Sequence, residues 1–312
     1  MKDISEILKK DRFKVIVTDS GLGGLSVQAL LDKNLRSKTD KNIDLIFFNS
    51  LADSNYGYNS IKNKSDKINV FNSALIGMMK FEPDLILIAC NTLSVIFHET
   101  EISKSVNIPV VGIVESGIEM ILENLDSNSD YGILILGTGT TINSDQHKQK
   151  LIESGINENK IVTQACYNLE SEIQNNPKGK NVKNLIEKYL NTAFEKVNNK
   201  SAHQLILFAC THYGYSKEIF DIYLRKLFNE NFSIVNPNEK MAEILNFLTE
   251  FDKAKNGDIS NKVYSRVKIS AEQIYNLSSL LKKDSENLAE PLKKYEFLPE
   301  LFHFDKMELK NE

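Results

Sequence analysis

Cysteine is scarce: three in 312 residues cannot build a disulfide framework, and an odd count points to a reducing compartment. Long hydrophobic runs are missing as well, since none approaches the roughly 20 apolar residues that cross a bilayer. The opening stretch MKDISEILKKDRFKV is charged and lacks the apolar core and small-residue cleavage site of a secretory leader. There is no excess of base: 38 Lys and Arg against 42 Asp and Glu leave a net charge of −4, so the footprint of a nucleic-acid binder is absent. No G-x-x-x-x-G-K-[ST] phosphate loop occurs. His98, His147, His203 and His303 are scattered and the cysteines stand apart, so no metal spacing is visible. These absences predict a cytoplasmic protein whose partner is a small molecule, with a homodimer left open. What is present, 41% hydrophobic and 26% charged residues, is the balance of a soluble globular chain long enough for about two domains.

Short β-branched runs alternate with helical patterns. Strands are expected at Lys14–Thr18, Asp44–Asn49, Asp84–Ala89, Pro109–Gly112, Gly132–Leu136, Lys160–Ala165, Gln204–Ala209 and Phe232–Val235. Several are apolar throughout, as in strands covered on both faces. Strand–helix–strand alternation predicts α/β architecture with open parallel sheets. The chain also repeats itself: DLILIACNT and QLILFACTH place Cys90 and Cys210 120 residues apart, while Asp19-Ser20 lies 118 residues before Gly137-Thr138. Two similar halves follow, with a first over residues 1–113 completed by 233–312, and a second over 114–232. In the polar tail, one strand (Val263–Ile269) and one helix (Ala271–Lys282) are expected. The last 25 or so residues read as a solvated extension with Phe297, Leu298, Leu301 and Phe302 able to dock.

In open parallel sheets ligands bind beyond the carboxyl ends of strands. Asp19-Ser20, Cys90-Asn91-Thr92, Thr138 with Thr140-Thr141, and Cys210-Thr211-His212 all sit at such ends. A single thiol there is most simply core packing. Two thiols ending equivalent strands, each followed by two hydrogen-bonding residues, instead suit proton transfer: a thiolate on one face of a substrate carbon removes its proton and a thiol on the other returns one. His212 and Asp19 are candidates to tune them, although a strand-end histidine and a helix-capping aspartate are ordinary structural features. Cys166, followed by Tyr-Asn-Leu, is taken as structural. Gly21-Leu22-Gly23-Gly24 fits a dinucleotide fingerprint poorly, since the third glycine falls at Ser26. As a bare loop before a helix it is a carboxylate site by expectation. Two thiols suffice for the proton transfers, so no cofactor is expected.

V-T-D-S-G-L-G-G-L-S-V at Val17–Val27, N-Y-G at Asn55–Gly57, I-A-C-N-T at Ile88–Thr92, I-P-V-V-G-I-V-E at Ile108–Glu115, L-G-T-G-T-T-I-N-S at Leu136–Ser144 and A-C-T-H-Y at Ala209–Tyr213 together resemble the cofactor-independent aspartate/glutamate racemase family. The resemblance runs from Lys14 to about Leu248. It implies that Cys90 and Cys210 are the acid/base pair in a cleft between the halves. It implies too that Asp19, Ser20, Asn91, Thr92, Thr211 and His212 surround the α-ammonium and α-carboxylate of the amino acid, with Tyr56-Gly57 in the same pocket, while Thr138 and Thr141 are candidates from their strand end. Glutamate is the implied substrate, made into its D form for peptidoglycan. Aspartate, a hydantoin or another small carboxylate is the nearest rival, and a non-catalytic amino-acid binder on the same fold a more distant one. Three positions depart from the family: Asn49-Ser50 replaces Gly-Asp, Asn55 replaces Pro, and Gln174 falls where a glutamate is usual, with Glu170 or Glu172 serving instead if the helix register differs. No arginine follows a strand end, so a distal carboxylate is expected to meet backbone N–H groups and hydroxyls around Thr138–Thr141 and Tyr56-Gly57.

Overall fold

The apolar runs become strands because both of their faces find cover. The computed structural model describes residues 4–54, 57–125, 130–249 and 257–305. Its strands are β1 (Arg12–Asp19), β2 (Asn42–Asn49), β3 (Leu85–Ile88), β4 (Val110–Gly112), β5 (Tyr131–Gly137), β6 (Ile161–Ala165), β7 (His203–Ala209), β8 (Phe232–Val235), β9 (Ile259–Ser265) and β10 (Glu296–Phe297). They form two sheets, ordered β10-β9-β2-β1-β3-β4 and β6-β5-β7-β8, with every pairing parallel. The fold is therefore α/β, as expected, and each of the eight strands anticipated before the tail lies within two residues of its expected bounds.

The repeat has a structural counterpart. The run β2-β1-β3-β4 matches β6-β5-β7-β8 position for position, so Asp19 and Gly137 end the two equivalent inner strands. Cys90 and Cys210 follow the next pair, β3 and β7. Successive side chains on a strand face opposite ways, and the packing obeys this. Ile16, Ile46, Ile86 and Ile88 share one hydrophobic cluster with Ile133, Ile135, Leu205 and Leu207 of the other sheet. Val15, Val17, Leu45, Phe47, Leu85 and Leu87 face the opposite way, into a second cluster. A continuous core thus runs between the sheets and fixes how their carboxyl ends meet.

Three expectations need correction. The limit set at residue 232 falls too early for the second sheet, because β8 pairs with β7 through Val235. The late strand is Ile259–Ser265 rather than Val263–Ile269. Its first half is polar, and that polarity is satisfied from neighbouring elements: Asn261 Nδ2 donates to Asp32 Oδ1 at 2.9 Å and Ser260 Oγ to Asp44 Oδ1 at 2.7 Å. A strand whose polar side chains are paired by its neighbours hides from a hydrophobic pattern.

Third, the tail up to residue 305 is not a solvated extension. A helix at Glu286–Lys293 buries Leu288 and Leu292, β10 extends the first sheet, and Leu301 and Phe302 are buried. Phe302 packs 5.9 Å from Phe48, centroid to centroid, with the Arg266 guanidinium 5.0 Å from its ring. The helix Lys64–Met79 approaches this segment so closely that a Cβ on Gly77 would lie 2.6 Å from the Leu301 carbonyl oxygen. Truncating a buried phenylalanine leaves a cavity worth about 3 kcal/mol. Phe302→Ala is accordingly expected to lower the urea midpoint of unfolding clearly, and an unchanged midpoint would show that the tail adds nothing to stability.

Candidate active site

The carboxyl ends of the two sheets face one another across a small chamber. Asp19, Ser20, Cys90, Asn91, Thr92 and Asn59 line it from the first half, and Thr138, Glu170, Ala209, Cys210, Thr211 and His212 from the second. Its free space is about 10 Å³, room for no more than one water. Ser20, Asn59, Glu170 and His212 also line an outer cleft of about 690 Å³, and so stand between chamber and entrance. Each thiol sits where a strand gives way to a helical turn: Cys90 precedes the helix Asn91–Phe97, and Cys210 the 3-10 turn Thr211–Ser216.

Polar contacts cross between the halves with near symmetry. Thr211 Oγ1 donates to Asp19 Oδ2 at 2.7 Å. In the reciprocal place, Thr92 Oγ1 lies 2.9 Å from Thr138 Oγ1 and 3.3 Å from Thr141 Oγ1. In each case the end of an inner strand in one half meets a residue just past the cysteine of the other. The glycine turn serves this contact. A Cβ on Gly23 would fall 2.2 Å from Thr211 Oγ1 and 2.6 Å from His212 Nδ1, so the bare backbone is what lets the second half seat against it. This corrects the expectation of a carboxylate site there, for protein groups already fill the loop. Leu22 N donates to Gln174 Oε1 at 2.7 Å and Gly21 N to Asp19 Oδ1 at 2.9 Å.

The electrostatics follow from burial without a counter-charge. Among the described residues no lysine or arginine lines the chamber. Burial pushes Asp19 up to about 6, against the hydrogen bonds from Thr211 and Gly21. Burial, with the Asp19 charge nearby, pushes the Cys90 thiol up to about 12, and burial with the charge of Glu170 pushes Cys210 well above its ordinary value. Burial also lowers His212 to about 4, so at neutral pH its ring is uncharged. Its Nε2 lies 3.0 Å from Gln174 Oε1, an acceptor, which assigns the proton to Nε2. The bare Nδ1 then faces Cys210 Sγ at 3.8 Å. Cys90 Sγ lies 3.1 Å from Ser20 Oγ. Both thiols rest protonated, each with a polar neighbour able to share its proton.

Two further residues shape the site, one of them, His147, without any role in the sequence reading and the other, Glu170, named there only as a register alternative to Gln174. His147, counted among scattered histidines, is buried and neutral, lowered to about 4 by burial, and its Nε2 lies 3.0 Å from Asn91 Oδ1. Anchoring that oxygen leaves Asn91 Nδ2 buried with no partner among the described residues, a donor free for a carboxylate. Glu170 contributes a carboxylate to the chamber itself. The helix register question resolves in favour of Gln174, which holds His212, while Glu172 turns outward to Asn181 Nδ2 at 3.1 Å. Asn49 and Ser50 lie in the core rather than the chamber, bonded to Ser265 and Thr18. Gly57 lines only the outer cleft; Asn55 and Tyr56 lie outside the described residues. Cys166 is buried among Leu134, Leu136 and Leu169, away from the chamber.

Residues 24–221 match the family model described as Asp/Glu/Hydantoin racemase. The chain belongs to this family. It is 30% identical over 234 residues to the glutamate racemase of Hydrogenobaculum sp. (strain Y04AAS1), covering 75% of this chain and 81% of that one. With the glutamate racemase of Aquifex pyrophilus it shares 28% over 207 residues, 66% and 73% of the two chains. In fold it resembles the glutamate racemase of Francisella tularensis subsp. tularensis SCHU S4 solved with D-glutamate, at a TM-score of 0.66 and 22% identity over 93% of this chain and 98% of that one. The chain is thus a racemase, an isomerase.

For Asp19 the folded value of about 6 exceeds the unfolded value of about 3.9. The folded state therefore holds its proton to higher pH, and stability falls as pH rises from about 4 to about 6 before levelling off, a loss of about 3 kcal/mol in all. Asp19→Asn removes this loss. The variant is expected to match or exceed the wild-type melting temperature at pH 7, with the advantage gone below pH 4, while activity is lost. A variant less stable than wild type at pH 7 would contradict the assignment.

Proposed function

We propose that the protein interconverts L- and D-glutamate by proton transfer at Cα between Cys90 and Cys210, and so supplies D-glutamate for peptidoglycan. The observation that carries this reading is the convergence of the two thiols, from equivalent strand ends, on one buried chamber. The substrate's α-ammonium is placed by Asp19, the only carboxylate at the end of an inner strand. Its α-carboxylate meets the free Asn91 Nδ2 and the hydroxyls of Thr92, Thr138 and Thr141. The family membership and the glutamate racemases among its relatives support the substrate class.

Both thiols rest neutral, so the base has to be made when substrate arrives. An ammonium entering a chamber lined by acids and no lysine or arginine favours any anion beside it. A thiol thereby becomes the thiolate by giving up its proton, from Cys210 to His212 Nδ1 or from Cys90 to the nearby Asp19 carboxylate, with the Ser20 hydroxyl then donating to the Cys90 thiolate. The thiolate takes the proton from Cα on its own face. The carbanion is held by the donors on the α-carboxylate, which gain strength as charge develops there. The opposite thiol then delivers its proton to the other face, inverting the centre. Run backwards, the cysteines exchange roles, which is why both need equivalent surroundings.

Cys90→Ser and Cys210→Ser place a hydroxyl, a far weaker acid than a thiol and a poor base near neutral pH, where a thiolate is required. Each is expected to reduce racemisation of glutamate, followed by circular dichroism, by at least about a thousandfold, or roughly 4 kcal/mol of barrier. Cys166→Ser is expected to leave the rate within a few fold. Near-normal turnover by either of the first two variants would remove the two-thiol mechanism.

A further inference from the structure

A chamber built for a dicarboxylate should not hold a spare carboxylate, and this one does. Glu170 is the second residue of the helix Leu169–Asn175 and lines both the chamber and the cleft outside it. Its Oε1 accepts from Asn59 Nδ2 at 3.0 Å, across the gap between the halves. Its Oε2 is shut off from solvent with no hydrogen-bond partner among the described residues. An ionised carboxylate rarely leaves one oxygen buried and unpaired, because the desolvation is uncompensated. No cation stands beside it in the chamber: the titratable groups around it are Cys166, Cys210, Tyr189, Tyr213 and, on the chamber wall, Asp19 and neutral His212. Lys67, which lines the outer cleft, is bonded to Thr140 Oγ1 at 2.8 Å.

We propose that Glu170 reads the side-chain end of the substrate, and that it does so as a neutral carboxylic acid when that end is a carboxylate. Built on the glutamate reading, the proposal adds a proton to it. With Glu170 ionised, a distal carboxylate would meet a second buried negative charge. Once protonated, Glu170 donates from Oε2 to that carboxylate while Oε1 still accepts from Asn59, and every buried polar atom of the pair is satisfied. Burial already raises this carboxyl above its ordinary value, so the uptake costs less than it would for a solvated carboxyl. A substrate with a distal amide needs no proton, since its N–H donates to the ionised form. The side-chain preference of this site is therefore set by pH: acid favours glutamate and alkali favours glutamine.

The decisive experiment titrates D-glutamate into the enzyme by calorimetry at pH 8, in buffers of differing ionisation enthalpy, alongside the pH dependence of KM from pH 6 to 9. Wild type is expected to take up close to one proton per glutamate bound and, with KM rising at least about threefold over the range, to lose affinity with pH. Glu170→Gln, which donates at any pH, is expected to take up none and to flatten the KM profile. Glu170→Asp, which keeps an acid, is expected to retain the slope. Glutamine turnover relative to glutamate should climb with pH in wild type and Glu170→Asp but not in Glu170→Gln. A wild type that turns over glutamate with no proton uptake, or a Glu170→Gln variant that keeps the uptake and the slope, overturns the role of Glu170 and leaves the racemase reading standing. If wild type exchanges the α-proton of neither amino acid at any pH, the substrate reading fails and this inference with it.

Discussion

Two carboxyls and two thiols are buried together here with no lysine or arginine among them, and most of what is particular to this protein follows from that. Taken alone, each burial is unfavourable: Asp19 is held above its ordinary range, and both cysteines are held protonated. The missing positive charge is the one an amino acid carries on its α-nitrogen. On the proposed reading, a site so arranged repels a bare anion, draws in a zwitterion and generates its base only when occupied. Water, which brings no charge, does not trigger it.

The scaffold can tolerate this because the cost is borne by a continuous core. Both sheets contribute to one hydrophobic cluster, and the glycine turn after β1 lets Thr211 and His212 press directly onto backbone. The halves are therefore registered by contacts on either side of the chamber, Asp19 with Thr211 and Thr92 with Thr138. Near-symmetry in the strand order becomes near-symmetry in chemistry. What breaks it is also chemical: Cys90 has a serine hydroxyl beside it and Cys210 an imidazole, so the two directions of the proposed proton transfer differ in the group that assists them.

The inner strands were legible in the sequence because they are covered on both faces and read as unbroken apolar runs. The thiol-bearing strand ends were legible because the chain carries them twice. β9 was misplaced because Ser260 and Asn261 find their partners on Asp44 and Asp32, far away in sequence. Docking of Leu301 and Phe302 was legible as an apolar cluster in a polar tail, whereas Phe297 and Leu298 stay largely exposed, and Leu288 and Leu292 lie among charges with too little periodicity to announce a core. His147 was missed, and Glu170 reached only as a register alternative, for a related reason. A glutamate on a polar helix and a histidine among five acquire meaning only when the second half brings them against Asn59 and Asn91. Partners more than fifty residues away leave no local pattern. Gln174 was placed at its site by the family resemblance alone, and its bond to His212 supplies the physical reason for that position.

The central claim is that two different groups, one on each face of Cα, handle the proton. It is tested most directly by starting from either pure enantiomer in deuterium oxide and following both pools by mass and chirality at low conversion. Two opposed thiols that exchange with solvent more slowly than they react place deuterium on the product, because the delivering thiol carries solvent deuterium. The remaining substrate keeps its original hydrogen. That asymmetry is expected from both directions. Product that retains the substrate's own hydrogen would mean one group serving both faces, and the opposed-thiol account would be wrong.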